Sequence, residues 1–116
     1  MKPIDHLASL SGVLAAGEFL YHGEGYSYAG LLEPEQARMA AIMCRANTES
    51  MVMQADLVQT YAEDAVTPSP RGWLVTSEHF SVCVVGNLFC FVDNASGSLN
   101  EVMHELERLA PALHPA

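Results

Sequence analysis

Apolar and polar positions along this chain follow two periods, and each switch between them marks an element. Pro3 to Leu10 places Ile4, Leu7, Ala8 and Leu10 at near-helical spacing, which predicts a short first helix. Gly12 to Leu20 and Tyr26 to Leu32 are rich in aliphatic and aromatic residues and flank the turn segment YHGEGY. Its two closely spaced glycines supply a reversal, so the pair reads as a hairpin. At Leu31-Leu32-Glu33-Pro34-Glu35 the pattern changes. Pro34 suits the first helical position, and Glu33 and Glu35 complement the positive end of a helix dipole. From Glu35 to about Tyr61 neither Gly nor Pro interrupts a run of good helix formers.

The face pattern of this long helix is the most informative feature of the sequence. At about 100° per residue, Arg38, Arg45, Glu49, Asp56 and Glu63 fall within about 40° of one another, so the charge beyond the first turn forms one narrow stripe. One flank carries Met39, Ile42, Met43, Ala46, Met53, Leu57 and Tyr61, the other Ala37, Ala41, Cys44, Met51, Ala55 and Val58. A helix packed only on its own sheet needs an apolar face a little over about 100° wide. This one exceeds that and must be covered twice. Asn47 and Gln54 stand opposite the charges, where their amides need partners.

DAVTPSPR, residues 64–71, reads as a linker, and three strands follow at Gly72 to Ser77, His79 to Val85 and Leu88 to Asp93. Gly86-Asn87 is a two-residue hairpin loop with Gly first, which sets Val85 opposite Leu88, Val84 opposite Phe89, Cys83 opposite Cys90 and Val82 opposite Phe91. Alternation then gives one face of Val82, Val84, Phe89 and Phe91 and another of Cys83, Val85, Leu88, Cys90 and Val92. A sheet apolar on both faces needs helices on both sides or a partner chain. In the last element Ser98 caps a helix in the box SLNE, with Leu99, Val102, Met103, Leu106 and Leu109 buried, Glu101, Glu105, Glu107 and Arg108 facing water, and Pro111 ending it.

Composition narrows the function classes. The 116 residues suit a single domain. Half are apolar and 16% charged, with a formal net charge of −9. That acidity is spread, with three basic and seven acidic residues in 1–58 and two and seven in 59–116, so there is no basic arm for nucleic acid. The stretch His79 to Val92 lacks Asp, Glu, Lys and Arg but is too short for a membrane span of about 20 residues. Lys2 and LASLSGVLAAG imitate a secretory signal only loosely, because Asp5, Ser9, Ser11 and Gly12 interrupt it. Three cysteines cannot all pair within the chain, and a reducing cytoplasm is the expected compartment.

Candidate chemistry is sparse. Cys83 and Cys90, opposite across a hairpin, offer a redox pair, but no C-x-x-C spacing or neighbouring cation activates them, and packing is the expected role. The histidines at 6, 22, 79, 104 and 114 show no metal-ligand spacing, and Ser9, Ser77 and Ser81 sit in no nucleophile elbow. The glycines at 23, 25 and 30 do not complete a phosphate loop. No catalytic, cofactor or metal site is therefore expected. Met39, Met43, Met51 and Met53 at helical spacing suggest an adaptable interface.

The segments GVLAAGEFL, YSYAGLLEPEQA with its long helix, GWLVTSEHFSVCVVGNLFCFVDNA and SLNEVMHELERL, in the order helix-strand-strand-helix-strand-strand-strand-helix, resemble the roadblock / dynein light-chain domain family, above all its small single-domain prokaryotic branch. The resemblance covers nearly the whole of residues 1–116. It implies an α+β, profilin-like αβα sandwich: a five-stranded antiparallel sheet with the long helix on one face and the terminal helices on the other. It implies a homodimer or heterodimer through the long helix and the middle strand, here Met43, Asn47, Met51, Gln54 and Val58 with Trp73, Val75 and Ser77. Family members act as scaffolds and regulators of small Ras-like GTPases, some as dimeric activators in bacterial motility. This chain departs from them in its acidity and its shortened first helix. The expectation is a non-enzymatic dimeric adaptor, with a Ras-like GTPase as candidate partner. The alternative is a small-molecule sensor of the same fold, suggested by Tyr21, Tyr26, Tyr28, Phe89 and Phe91.

Overall fold

The computed structural model describes residues 2–20, 25–61 and 72–110, except the side chains of residues 55 and 58–61. The tip of the first hairpin, the linker 64–71, His22, His114, Tyr21 and Glu63 lie outside the described residues. The elements are α1 (Pro3–Ala8), β1 (Val13–Phe19), β2 (Tyr26–Gly30), α2 (Pro34–Tyr61), β3 (Gly72–Thr76), β4 (Phe80–Val85), β5 (Leu88–Asp93) and α3 (Leu99–Leu109). They form a profilin-like αβα sandwich in the order the sequence predicts. The five strands make one antiparallel sheet in the order β2-β1-β5-β4-β3.

Local chemistry explains the element ends. Gly86 takes φ +59 in the two-residue loop, and the β4–β5 register pairs Val85 with Leu88 and Cys83 with Cys90 as the loop demands. Gly30, at φ +111, stops β2 earlier than its sequence pattern suggests. At the start of α2 the Gln36 side chain accepts from the Glu33 backbone N–H at 3.0 Å, the returning half of a capping box, with Pro34 at the first helical position. Ser98 Oγ accepts from the Glu101 N–H at 3.3 Å and caps α3.

The sheet has an apolar layer on each side. Cys83, Val85, Leu88, Cys90 and Val92 pack with Ile4 and Leu7 of α1 and with Val102 and Leu106 of α3. Val84 and Phe89 pack with Phe19 and with Ala40, Ala41 and Cys44 of α2. Each fully buried side chain as large as Leu7 or Leu106 contributes about 1.5–3 kcal/mol, so α1, only six residues long, is held by its two buried side chains instead of by its own helicity.

One expectation on α3 is corrected. Glu105 is partly covered: its carboxylate meets His6 Nε2 of α1 at 3.3 Å and accepts from Arg108 at 2.7 and 2.9 Å. The approach of α1, which no local pattern on α3 encodes, brings His6 there.

Candidate functional site

The surface with the most to explain is the outer side of α2 and the sheet quadrant beside it. The side chains that α2 turns to the sheet are small: Ala37, Ala40, Ala41, Cys44 and Thr48. They let the helix sit close over Val84 and Phe89. The larger flank consequently points away, and Met39, Ile42, Met43, Met53 and Leu57 are exposed. Of the two flanks legible in the sequence, the structure gives Ala37, Ala41 and Cys44 of the one to the sheet, with Met51 farther along it exposed, and leaves the large-residue flank uncovered.

Beyond α2 lies β3, an outer strand of the sheet. Trp73 and Val75 pair with Val84 and Val82 and share their face. Trp73 Nε1 donates to Thr48 Oγ1 at 2.9 Å, a tether between β3 and α2 that satisfies a buried hydroxyl. Val75 stays exposed. The strand GWLVT holds no charge or proline, so it lacks the usual guards of an outer edge.

Between the α2 flank and these strands runs a groove of about 470 Å³. Met39, Met43 and Asn47 form its wall, Trp73, Val75, Val82 and Phe91 its floor, and Leu32 and Gln36 its end. Two lining residues titrate. Arg38 Nη2 and Nε donate to the Glu35 carboxylate at 2.6 and 3.1 Å and hold its pKa below the ordinary value. Burial pushes the Cys44 thiol up to about 12, so it stays protonated at neutral pH. A lining of this kind recognises apolar surface.

Four of the residues expected at an interface thus meet at one place: Met43, Asn47, Trp73 and Val75 all line the groove. Met51 and Gln54 lie farther along α2, where Gln54 Nε2 donates to Ser50 Oγ at 3.4 Å. Ser77 follows β3 in a turn, where its Oγ donates to the Phe80 carbonyl at 2.7 Å. Val58 lies outside the described side chains. Met39, Val82 and Phe91 also line the groove, and two signals pointed to them: Met39 is one turn before Met43, and the loop-fixed register sets Val82 opposite Phe91.

Of the aromatic residues that suggested a ligand site, Phe91 reaches the groove. Phe89 is fully buried, Tyr26 packs against the same core, and Tyr28 stacks on Tyr26 at 6.4 Å. Burial raises Cys83 to about 11 and Cys90 to about 12, and both pack under α1 and α3. Among the described residues no three His, Cys, Asp or Glu side chains gather as a metal site, and no helix is long and apolar enough to cross a membrane.

Residues 3–108 match the family described as Uncharacterized conserved protein (DUF2173). No curated protein is significantly similar in sequence. Among solved structures, Myxococcus xanthus MglB is similar with a TM-score of 0.72 at 17% identity, over 92% of this chain and 85% of that one. The shared fold is the roadblock-type sandwich described above.

Proposed function

We propose, from the premise that the chain belongs to the DUF2173 family, that it works as a non-enzymatic dimeric adaptor or regulator for a small Ras-like GTPase in the cytoplasm. The observation that carries the reading is the uncovered apolar flank of α2 beside an unguarded edge strand. Met39, Met43, Met53, Leu57 and Val75 each expose about half or more of their surface. That is on the order of 100 Å² apiece, so five residues supply over half of the about 800 Å² per partner in a standard interface. A second copy offers the matching surface: another neutral apolar flank, and another outer strand that among the described residues is paired on one side only. The roadblock resemblance, which carries the GTPase part of the reading, is supported by the fold shared with MglB.

Size-exclusion chromatography with light scattering tests the association. The expected result is a dimer at micromolar concentration, dissociating in Met43→Glu because a carboxylate would be buried without a partner. A strict monomer overturns it. For the partner, the nucleotide-hydrolysis rate of a Ras-like GTPase from the same genome is measured with and without the chain; an unchanged rate and no co-elution overturn that part.

A small-molecule role has one supporting observation, the groove volume, which falls within the roughly 300–1,000 Å³ of ligand pockets. Native mass spectrometry of freshly purified protein distinguishes the two readings, since a copurified ligand filling the groove would compete with a second copy.

A further inference from the structure

Four of the six methionines, Met39, Met43, Met51 and Met53, stand on α2. Their exposures are 48%, 57%, 39% and 72%. Met103, on α3, packs half-buried against the opposite core layer. The thiols are placed the other way: Cys44, Cys83 and Cys90 are all buried. Oxidants attack a thiol as its thiolate, which burial suppresses in all three, whereas a thioether keeps its reactive lone pair at every pH. Exposure of the α2 thioethers and burial of the thiols thus favour methionine over cysteine as the sulfur an oxidant meets.

We propose that Met39, Met43, Met51 and Met53 form a sulfoxidation site for peroxides, and that its oxidation switches off association through α2. The second half rests on the reading of α2 as a dimer face. A lone pair of Sδ attacks one peroxide oxygen; the S–O bond forms as the O–O bond breaks. Sulfur loses two electrons, and the other oxygen leaves as water or an alcohol after taking up the proton. The product is a sulfoxide, polar and chiral where an apolar, flexible thioether stood.

The consequence follows from the surroundings. Met39 and Met43 line the groove with Trp73, Val75, Val82 and Phe91, an apolar floor that offers a sulfoxide oxygen no free side-chain donor because the Trp73 N–H is already bonded to Thr48; the amide donors of the lining, Asn47 and Gln36, stand at its wall and end. A sulfoxide pressed onto that floor in a second copy would exchange full hydration for at most a contact with one of those amides. In a separated copy it would be hydrated. Oxidation thus favours the separated copies, and pairing shields the sulfurs. Reductases specific for each sulfoxide epimer provide the return path.

The test treats the full chain with graded hydrogen peroxide and follows it by peptide mass mapping and by size-exclusion chromatography with light scattering. In protein diluted until its copies separate, one oxygen is expected on each α2 methionine before any on Met103 or the cysteines, and at dimer concentration the dimer should be lost in step with that same oxidation. A variant with all four α2 methionines changed to Leu, which keeps apolar volume, should remain dimeric under the same treatment. Oxidised wild-type protein should re-form the dimer after a pair of epimer-specific methionine sulfoxide reductases. Oxidation of Met103 or a cysteine first in the separated copies overturns the site. A dimer that survives complete α2 oxidation, or a Leu variant that dissociates equally, overturns the switch. A monomer before any oxidant is added refutes the dimer reading and the switch with it, while the mapping order still decides the site.

Discussion

Gly17, in the middle of β1, is the point where a single methyl group should have a measurable and calculable effect. It pairs with Phe89 on β5, and a Cβ built there would lie 2.8 and 2.9 Å from Phe89 Cε1 and Cε2 and closer still to Cζ. The ring is fully buried and stands edge-to-face with Phe91 at 5.9 Å, so it has nowhere to swing. The backbone of Gly17 is not in the left-handed region, and Gly17→Ala therefore isolates the steric term. Overpacking costs about 1–3 kcal/mol. The reduced freedom of the unfolded chain returns about 0.4–1 kcal/mol. With three ring atoms closer than 3.0 Å the upper half of the overpacking range applies, so the net expectation is a loss of about 1–2.6 kcal/mol, and with a urea m-value of about 2 kcal/mol/M the midpoint falls by roughly 0.5–1.3 M. Trp73 fluorescence at one fixed protein concentration reads the transition, which keeps any association contribution constant. Phe89→Leu removes the ring tip and is destabilising alone through lost burial. In the double variant the new methyl enters the vacated space, so the cycle should show a favourable coupling of about 1 kcal/mol or more. A Gly17→Ala chain as stable as wild type, or an additive cycle, would refute the steric account.

Three further outcomes follow from other contacts. Ser98→Ala removes the α3 cap and should cost about 1 kcal/mol in the same urea assay, whereas Ser98→Asp should largely restore stability. The Glu105 pKa is lowered by its hydrogen bonds from Arg108, with a smaller contribution from His6, so its stabilisation is present above the ordinary carboxylate range and lost as pH falls through the folded value. Glu105→Gln should accordingly flatten the acid limb of a stability-versus-pH curve and leave the neutral region less affected. The thiols run the other way: they keep their protons when folded to about 11 or 12 against an ordinary 9.0, so stability should decline as pH rises above about 9, and a maleimide should label none of them at pH 7 until denaturant is added.

Much of the candidate site was legible because its pieces obey local rules. The two flanks of α2 and its charge stripe follow from helical angle alone. Met43 and Asn47 are adjacent because i,i+4 spacing stacks them on one side, and Val82 and Phe91 are opposed because Gly86-Asn87 fixes a register. The Thr48–Trp73 hydrogen bond was not legible, since it joins residues 25 apart and Thr48 gives no signal within the helix. Ser77 alternates with Trp73 and Val75 and therefore reads as a member of their face, yet its hydroxyl closes the turn after β3.

The sequence by itself determined the order of eight elements, the double-faced β4–β5 hairpin, the cap of α3 and the fact that α2 is too apolar for one sheet. These depend on dihedral preferences and on spacings of two, three or four residues, which a chain carries wherever it is. Only the tertiary structure decided which flank of α2 the sheet takes, that Glu105 reaches His6, and that the open quadrant beside β3 becomes a groove. Those outcomes depend on volume. Small side chains on one flank let α2 settle onto Phe89 and Val84, side chains from strands distant in sequence, and the space that remains is fixed by how they fit together.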